Sequence, residues 1–189
     1  IMATKNGTVK RTPLDEYKNM RKSGLIAITL RDDDELIEAK TAYAEDNIIF
    51  VTKHGQCIKF AVEDVRETGR SSIGVRGINL VDSDEVVGMQ LDVQGEYLLV
   101  ASEKGMGKLT HIDEFKVQNR GGKGIVCYKA GDSNGQVADI VLVCDEDRVL
   151  ISGDKSSICI SAEELSQVSR TSLGNMVIKN NKIISATKV

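Results

Sequence analysis

The sequence repeats itself at an interval of fifty residues. Segments 70–74, 120–124 and 170–174 read Arg-Ser-Ser-Ile-Gly, Arg-Gly-Gly-Lys-Gly and Arg-Thr-Ser-Leu-Gly. A second landmark keeps the same register, a turn residue followed eight positions later by an acidic pair. The turn residues are Gly7, Gly55, Gly105 and Lys155. A fixed period of this size indicates an array of similar units, and four repeats account for nearly all 189 residues.

Short apolar segments rich in Val and Ile lie between turn residues in these repeats. Segments 48–52, 97–102 and 137–143 are examples, and their length is typical of strands rather than helices. A hydroxyl residue stands three positions before a carboxylate at Thr12, Thr110 and Ser161, which predicts the start of a brief helical turn. No segment is long enough to be the crossover helix of a parallel α/β fold.

The pattern therefore predicts an all-β, propeller-like fold in a single domain of residues 1–189. We expect four blades of about four antiparallel strands each, with one short helical turn per blade. The approximate blades are 1–47, 48–96, 97–147 and 148–189. A β-sandwich is the alternative, but it does not explain the period.

Charge is distributed unevenly, although the net charge is only −3. Basic residues outnumber acidic ones in residues 1–25 and 104–129, whereas acidic residues collect in 32–35, 82–85 and 145–147. Because repetition brings equivalent segments to equivalent places, we expect a basic surface and a separate acidic one. Local potential rather than net charge steers a polyanion. The alternative is that these charges belong to ordinary solvated turns.

Residues 118–124, Gln-Asn-Arg-Gly-Gly-Lys-Gly, form the most informative segment. Glycines let a phosphate backbone approach closely, Arg120 can form forked bonds to a phosphate, and Lys123 supplies a point charge. Such contacts do not read base sequence. The alternative is a hairpin with a bulge. The candidate DNA-binding residues are Lys10, Arg11, Arg21, Lys22, Lys59, Arg70, Arg76, Lys108, Gln118, Asn119, Arg120, Gly121, Gly122, Lys123, Gly124 and Arg170. Repeat four, whose Arg170 has no basic neighbour, is expected to contribute least.

No residues are predicted to be catalytic or to bind a metal. His54 and His111 have no evident partners, and residues 32–35 lack the glycine and distal glutamate of a calcium loop. The four cysteines are far apart, which favours reduced thiols in a cytosolic protein over a zinc site. No apolar run is long enough to span a membrane, and no signal-peptide pattern opens the chain.

Several motifs together resemble the β-pinwheel that forms the C-terminal domain of DNA gyrase A. Residues 5–12 read Lys-Asn-Gly-Thr-Val-Lys-Arg-Thr, residues 24–30 Gly-Leu-Ile-Ala-Ile-Thr-Leu, and residues 74–80 Gly-Val-Arg-Gly-Ile-Asn-Leu. A Lys-Gly-x-Gly-Lys turn is similar to residues 104–108. The resemblance spans essentially the entire chain.

The resemblance implies a fragment similar to blades three to six of a six-bladed domain. The first repeat begins inside a strand, which also suggests a piece of a longer protein. The family's signature box, Gln-Arg-Arg-Gly-Gly-Lys-Gly, lies in its first blade, and residues 118–124 differ from it at Asn119. They are therefore interpreted as a box-like repeat loop rather than the box.

By resemblance, the domain wraps duplex DNA around its basic rim and presents it to a catalytic core for negative supercoiling. The fragment would not be an enzyme on its own, because the catalytic tyrosine and the ATPase lie elsewhere. It would hold no cofactor, while the holoenzyme uses ATP and Mg. Implied partners are double-stranded DNA, the rest of gyrase A and the gyrase B protein in a heterotetramer, with no membrane and no small-molecule substrate. The implied location is cytoplasmic, bacterial and nucleoid-associated.

The sequence leaves two alternative functions open. In the paralogous topoisomerase IV, the counterpart of gyrase A has a related C-terminal domain. A propeller-type scaffold for protein interaction belongs to a different class, in which the basic loops are ordinary hairpins. An enzyme would need a buried acid–base pair that the sequence does not offer.

Overall fold

A computed structural model describes residues 1–19, 22–81 and 83–189, which contain fifteen short strands. Most strands of the apolar segments have five to seven residues, and three have only two. In chain order they are β1 (Met2–Thr4), β2 (Thr8–Lys10), β3 (Leu36–Ala39), β4 (Asn47–Thr52), β5 (Gln56–Ala61), β6 (Val75–Arg76), β7 (Val86–Leu91), β8 (Tyr97–Ser102), β9 (Met106–His111), β10 (Ile125–Val126), β11 (Val137–Val143), β12 (Arg148–Gly153), β13 (Ser157–Ser161), β14 (Asn175–Met176) and β15 (Ile183–Lys188).

The strands form four antiparallel sheets in a four-bladed propeller arrangement, which confirms the predicted fold class. The strand orders are β3-β1-β2-β6, β10-β5-β4-β7, β11-β8-β9-β14 and β13-β12-β15. Three sheets have the expected four strands. The fourth has three, because within the described residues no short outer strand pairs with β13.

Neighbouring repeats exchange strands, which the sequence did not reveal. Each two-residue strand leaves its own repeat and pairs with the sheet of the preceding repeat. Thus β6 pairs with β2, β10 with β5, and β14 with β9. The sheets therefore cross the boundaries between the sequence repeats, and each junction is made by main-chain hydrogen bonds as well as by side chains.

Apolar side chains of one strand are divided between two cores, which explains the apolar runs. In β4, Ile48 and Phe50 pack toward the first sheet, whereas Ile49 and Val51 pack toward the third. Because successive side chains of a strand point to opposite faces, a strand between two sheets must be apolar at every position. The three buried clusters thus lie between adjacent blades.

Short 3-10 turns follow the hairpins of all four repeats, and a fifth turn follows β7. They are Leu14–Tyr17, Val62–Asp64, Asp92–Gln94, Ile112–Glu114 and Ala162–Glu164. The predicted hydroxyl caps were partly wrong: Pro13 precedes the first turn, and the Thr110 hydroxyl donates to the Val168 carbonyl instead. Among the described residues, no helix has the length and apolar character needed to cross a membrane.

In each Arg-x-x-x-Gly segment, the glycine packs against a strand of the preceding repeat, the strand with which the same segment pairs. Gly74, Gly124 and Gly174 have φ angles of 102°, 75° and 79°, in the left-handed region. A Cβ atom at position 124 would lie 2.5 Å from the Cys57 carbonyl oxygen. These glycines therefore serve the exchange of strands, and the close approach of DNA that the sequence suggested for Gly124 stays a prediction.

Gly124→Ala should destabilise the fold, because it adds both backbone strain and a clash with β5. We expect the free energy of unfolding to fall by about 2 kcal/mol or more, measured by urea denaturation. Gly69→Ala is the matched control, since position 69 has open space around it and no positive φ. Equal stability of the two variants would contradict the assigned role.

Candidate nucleic-acid interface

The glycine-rich loop of residues 118–124 lies against the preceding repeat. The Gln118 amide donates to the Lys59 carbonyl at 2.7 Å, and the Gly121 amide donates to the Gly77 carbonyl at 2.8 Å. The Gly122 carbonyl accepts from the Asn79 amide at 2.8 Å. The loop is therefore fixed at a junction between two blades by its own backbone, while Asn119, Gly122 and Lys123 are exposed.

The arginines of the three Arg-x-x-x-Gly segments make one repeated contact. Each guanidinium donates to a backbone carbonyl 44 residues earlier in the chain. Arg70 bonds the Ile26 carbonyl, Arg120 the Arg76 carbonyl, and Arg170 the Val126 carbonyl. Arg120 Nε also donates to the Asp64 carbonyl at 3.0 Å. These charge-assisted hydrogen bonds hold each loop against the preceding repeat. The recurring arginine therefore has a structural role.

Lys10 and Lys108 are buried, although the sequence placed them on the DNA-binding surface. The Lys108 ammonium donates to the carbonyls of Ser169 at 3.2 Å and Arg170 at 2.6 Å. The Lys10 ammonium likewise reaches the Ala27 and Arg70 carbonyls. Both groups are enclosed by the next loop and satisfied by its backbone. Lys10 and Lys108 are therefore not part of the exposed cationic surface.

Burial changes the ionisation of these two lysines. It lowers the pKa of Lys108 from 10.5 to about 8. It also lowers the pKa of Lys10, and the neighbouring Arg70 charge lowers it further. At neutral pH each ammonium group donates hydrogen bonds to its carbonyl partners. Each lysine thereby anchors one loop to the strand below it.

The loop of residues 120–124 has no such lysine beneath it. Counted from the turn residues, the position of Lys10 and Lys108 is occupied by Ile58 in repeat two and Ile158 in repeat four. The Ile58 Cδ1 atom lies 3.7 Å from where a Cβ atom of residue 122 would be. The glycine-rich loop therefore rests on an apolar side chain, and its Lys123 forms no ion pair in the described part of the chain.

Two further candidates are paired with carboxylates. Arg11 forms an ion pair with Glu67 at 2.8 Å, and Lys59 forms one with Asp92 at 3.0 Å. The Lys59 side chain is almost wholly buried. Such pairs cancel charge that would otherwise attract a polyanion. Arg21 lies outside the described residues.

Lys22, Arg76 and Lys123 are the exposed cations among the candidates. None of them forms an ion pair with another residue in the described part of the chain. Arg76 lies beside the loop that carries Lys123, because a Cβ atom at Gly121 would lie 3.9 Å from Arg76 Cδ. Further exposed cations without such a pair are Arg66, Lys116 and Lys129.

Acidic and basic groups meet at the loops instead of forming two fully separate surfaces, because Asp84, from the acidic residues 82–85, lines the same cavity as Lys123. The Glu114 carboxylate accepts from the Arg170 amide at 2.8 Å, and the Asp64 carbonyl accepts from Arg120. Both acidic residues are exposed. The 3-10 turn of one repeat thus contacts the loop of the following repeat, which the linear distribution of charge does not show.

Residues 32–35 organise a turn, as the sequence indicated. The Asp34 carboxylate accepts from the Thr4 hydroxyl at 2.7 Å and from the amides of Asn6 and Glu35 at 2.9 Å each. Asp84 accepts from two amides in the equivalent turn of repeat two. In residues 1–19, 22–81 and 83–189, no group of His, Cys, Asp and Glu is arranged to hold a metal ion.

The fold and the junctions define a class of β-propeller modules that are built from strand-exchanging repeats and carry exposed cations beside a glycine-rich loop. The family model described as "DNA gyrase C-terminal domain, beta-propeller" matches residues 1–42, 46–91 and 96–144. The chain belongs to this family. The resemblance found in the sequence motifs is thereby confirmed.

Curated relatives and solved structures agree with this assignment. The DNA gyrase A protein of Clostridium acetobutylicum is 42% identical over 193 residues, which cover 100% of this chain and 23% of that protein. The corresponding protein of Ureaplasma parvum serovar 3 is 35% identical, over 94% of this chain and 21% of that protein. The chain thus spans about a quarter of the length of its curated relatives.

Two solved domains have the same fold over essentially the whole chain. A structure of the C-terminal domain of DNA topoisomerase IV gives a TM-score of 0.93 at 29% identity, covering 100% of this chain and 60% of that one. A structure of the DNA gyrase A C-terminal domain gives 0.89 at 28%, covering 99% and 64%. The chain therefore has the fold of 60 to 64% of a C-terminal domain of the gyrase and topoisomerase IV type.

Lys108→Met removes the buried ammonium but keeps a long apolar side chain. Between pH 8 and 10.5 the unfolded chain binds more protons at this position than the folded chain, so the contribution of Lys108 to the free energy of unfolding rises with pH. We expect the wild-type value minus the Lys108→Met value to increase by on the order of 3 kcal/mol across this window. Urea denaturation at several pH values measures it.

Lys116→Met is the matched control, because Lys116 is exposed. Its difference from the wild type should change little over the same range. A flat profile for Lys108→Met would show that the ammonium is solvated rather than enclosed by the loop of residues 169–170.

Proposed function

We propose that this domain binds duplex DNA without sequence preference and bends or wraps it along its rim. The domain would act as the C-terminal DNA-wrapping module of gyrase A in a type IIA topoisomerase, and present the wrapped segment for negative supercoiling. Membership of the gyrase C-terminal family supports this proposal. The function would be binding and bending, with strand cleavage performed elsewhere in the enzyme.

The observation that carries the proposal is a pair of exposed cations beside the glycine-rich loop. Arg76 and Lys123 flank this loop, and neither forms an ion pair with a carboxylate in the described part of the chain. Asn119 and the exposed Gly122 add neutral polar groups beside them. Guanidinium, ammonium and amide donors recognise phosphate oxygens irrespective of the bases. We assign the first contact with DNA to Arg76 and Lys123, together with Lys22.

The remaining parts of the proposal come from the relatives as whole proteins. They include a complex with the rest of gyrase A and with gyrase B, the use of ATP and Mg by that complex, and a cytoplasmic, nucleoid-associated location. Correspondence with blades three to six of a larger domain belongs to the same set. The coverage of the relatives by this chain, about a quarter of their length, supports a modular role.

Topoisomerase IV provides the second candidate, because its C-terminal domain has a closely similar structure. The sequence relatives favour gyrase, since proteins 35% to 43% identical to this chain carry the name of gyrase A. The two candidates differ in whether bound DNA is wrapped with a fixed hand. A topoisomer assay with the full-length protein separates them, since only wrapping changes the linking number of relaxed plasmid when the nicks are sealed.

Lys123→Ala should weaken the binding of all duplexes alike. With six phosphates neutralised, the logarithm of the affinity of the wild type should fall with the logarithm of salt at a slope of about −5. Loss of one phosphate contact should reduce this slope by about 1 and lower affinity at low salt several-fold. Fluorescence anisotropy with two duplexes of unrelated sequence measures both quantities.

Lys179→Ala provides the matched control, because Lys179 is also exposed but belongs to repeat four, which has no glycine-lysine loop. We expect a smaller loss there. A wild-type affinity that is independent of salt would favour the protein-interaction scaffold, and a loss on one duplex only would argue against backbone recognition.

A further inference from the structure

A polar cavity of about 320 Å³ lies where repeat two joins the first sheet. One wall is the hairpin between β1 and β2, with Asn6 and Thr8, and the opposite wall is the segment that contains β6. Arg31, Arg76 and Asn79 contribute the remaining polar side chains. Arg31 and Asn79 were not among the residues predicted from the sequence.

Strand exchange is what brings the two arginines of this cavity together. Thr8 of β2 and Arg76 of β6 are direct partners in the antiparallel ladder, so their side chains share one face of the sheet. Arg31 comes from repeat one, where its carbonyl accepts from the Asp34 amide at 3.1 Å and so anchors the turn. Two arginines from different repeats thus line one cavity.

The cations of this cavity are not neutralised by neighbours. Neither Arg31 nor Arg76 forms an ion pair with any residue that the structure describes. Asp34, which contacts Asn6 in the wall, is already occupied by three hydrogen bonds. The residues that line the cavity therefore offer hydrogen-bond donors and positive charge. No carboxylate among them is available to pair with the two arginines.

The equivalent junctions lack this arrangement. Fifty residues further on, Val81 and Val126 stand in place of Arg31 and Arg76, and a further fifty residues on, Gly131 and Met176 do. The cavity at the second junction is lined instead by Lys123 and by Asp84, which has a negative charge of its own. Among the described junctions, paired arginines occur at the first alone.

We propose that this cavity binds a phosphate group, either a phosphodiester of the DNA backbone or the phosphate of a free compound. Two guanidinium groups and the Asn79 amide can surround its oxygens with directed hydrogen bonds. The volume exceeds that of a phosphate ion and leaves room for an ester substituent. The DNA source rests on the proposed function, whereas the free source does not.

A ligand bound in the cavity would also affect the glycine-rich loop. The Arg76 side chain lines the cavity, while the Arg76 carbonyl accepts the hydrogen bond from Arg120. The Asn79 amide donates to the Gly122 carbonyl from the same segment. A phosphate held by Arg76 and Asn79 would therefore order the segment against which residues 120–124 are fixed.

The test is an NMR titration of the full chain with inorganic phosphate and, separately, with a 20-base-pair duplex. Sodium chloride at matched ionic strength corrects for screening. We expect phosphate to shift the amide signals of Asn6, Thr8 and Asn79, and Arg31→Gln and Arg76→Gln to weaken this binding roughly tenfold. Arg148→Gln, an exposed arginine in the fourth sheet, is the matched control and should bind like the wild type. Thermal unfolding verifies that all variants are folded.

The two sources give different results. A duplex affinity that falls several-fold in Arg31→Gln but not in Arg148→Gln supports the backbone phosphodiester. Unchanged duplex affinity with lost phosphate shifts supports a free phosphorylated compound. The proposal is overturned if Arg31→Gln and Arg148→Gln agree in both titrations, or if phosphate shifts no signal around the cavity and duplex affinity is unchanged.

The experiments distinguish a cavity that does not bind phosphate from a domain that does not bind DNA. If the wild type binds duplex with the expected salt dependence while Arg31→Gln changes nothing, only the cavity is rejected. If the wild type fails to bind duplex but phosphate shifts the cavity signals, DNA binding is rejected and the cavity stands with a free ligand.

Discussion

The structure depends on the hydrogen bonds that each hairpin glycine makes with the following repeat. The carbonyls of Gly7, Gly55 and Gly105 each accept two amide hydrogens, from residues 77–78, 127–128 and 177–178 respectively. The same segments supply the short outer strands. Because a repeat of this size cannot bury both faces of its own sheet, it gains stability only at its junctions, and these backbone bonds fix the register of every junction. The apolar cores between blades then follow from that register.

The basic residues acquire two separate roles from this arrangement. Arginine at the start of each loop and lysine beneath the first and third loops donate to backbone carbonyls of other segments. The carbonyls around the lysines are partly buried, where an acceptor without a hydrogen bond would be costly. Charge that is used in this way contributes little to the attraction of DNA. The cations left over, among them Arg76 and Lys123, are those that face solvent beside the loop.

Alternation between lysine and isoleucine beneath the loops makes the junctions unequal. Lys10 and Lys108 hold the loops of residues 70–74 and 170–174 by their carbonyls, whereas Ile58 only packs under residues 120–124. The glycine-rich loop is thus held by its main chain and leaves its own lysine free. Repeats that look equivalent in the sequence therefore differ in which polar groups they present, and the paired arginines of the first junction are a second example.

The sequence by itself determined the repeat, the strand content, the brief turns and the family, because these depend on local spacing and on the alternation of apolar residues. It also drew attention to residues 118–124, which the structure places at an exposed junction. Only the tertiary structure decided which basic side chains are available. Lys10 and Lys108 look like surface lysines in the sequence, and Arg70, Arg120 and Arg170 look like phosphate ligands. Each instead meets a carbonyl 44 to 62 residues away in the chain, and contacts at that distance arise only from strand exchange between repeats.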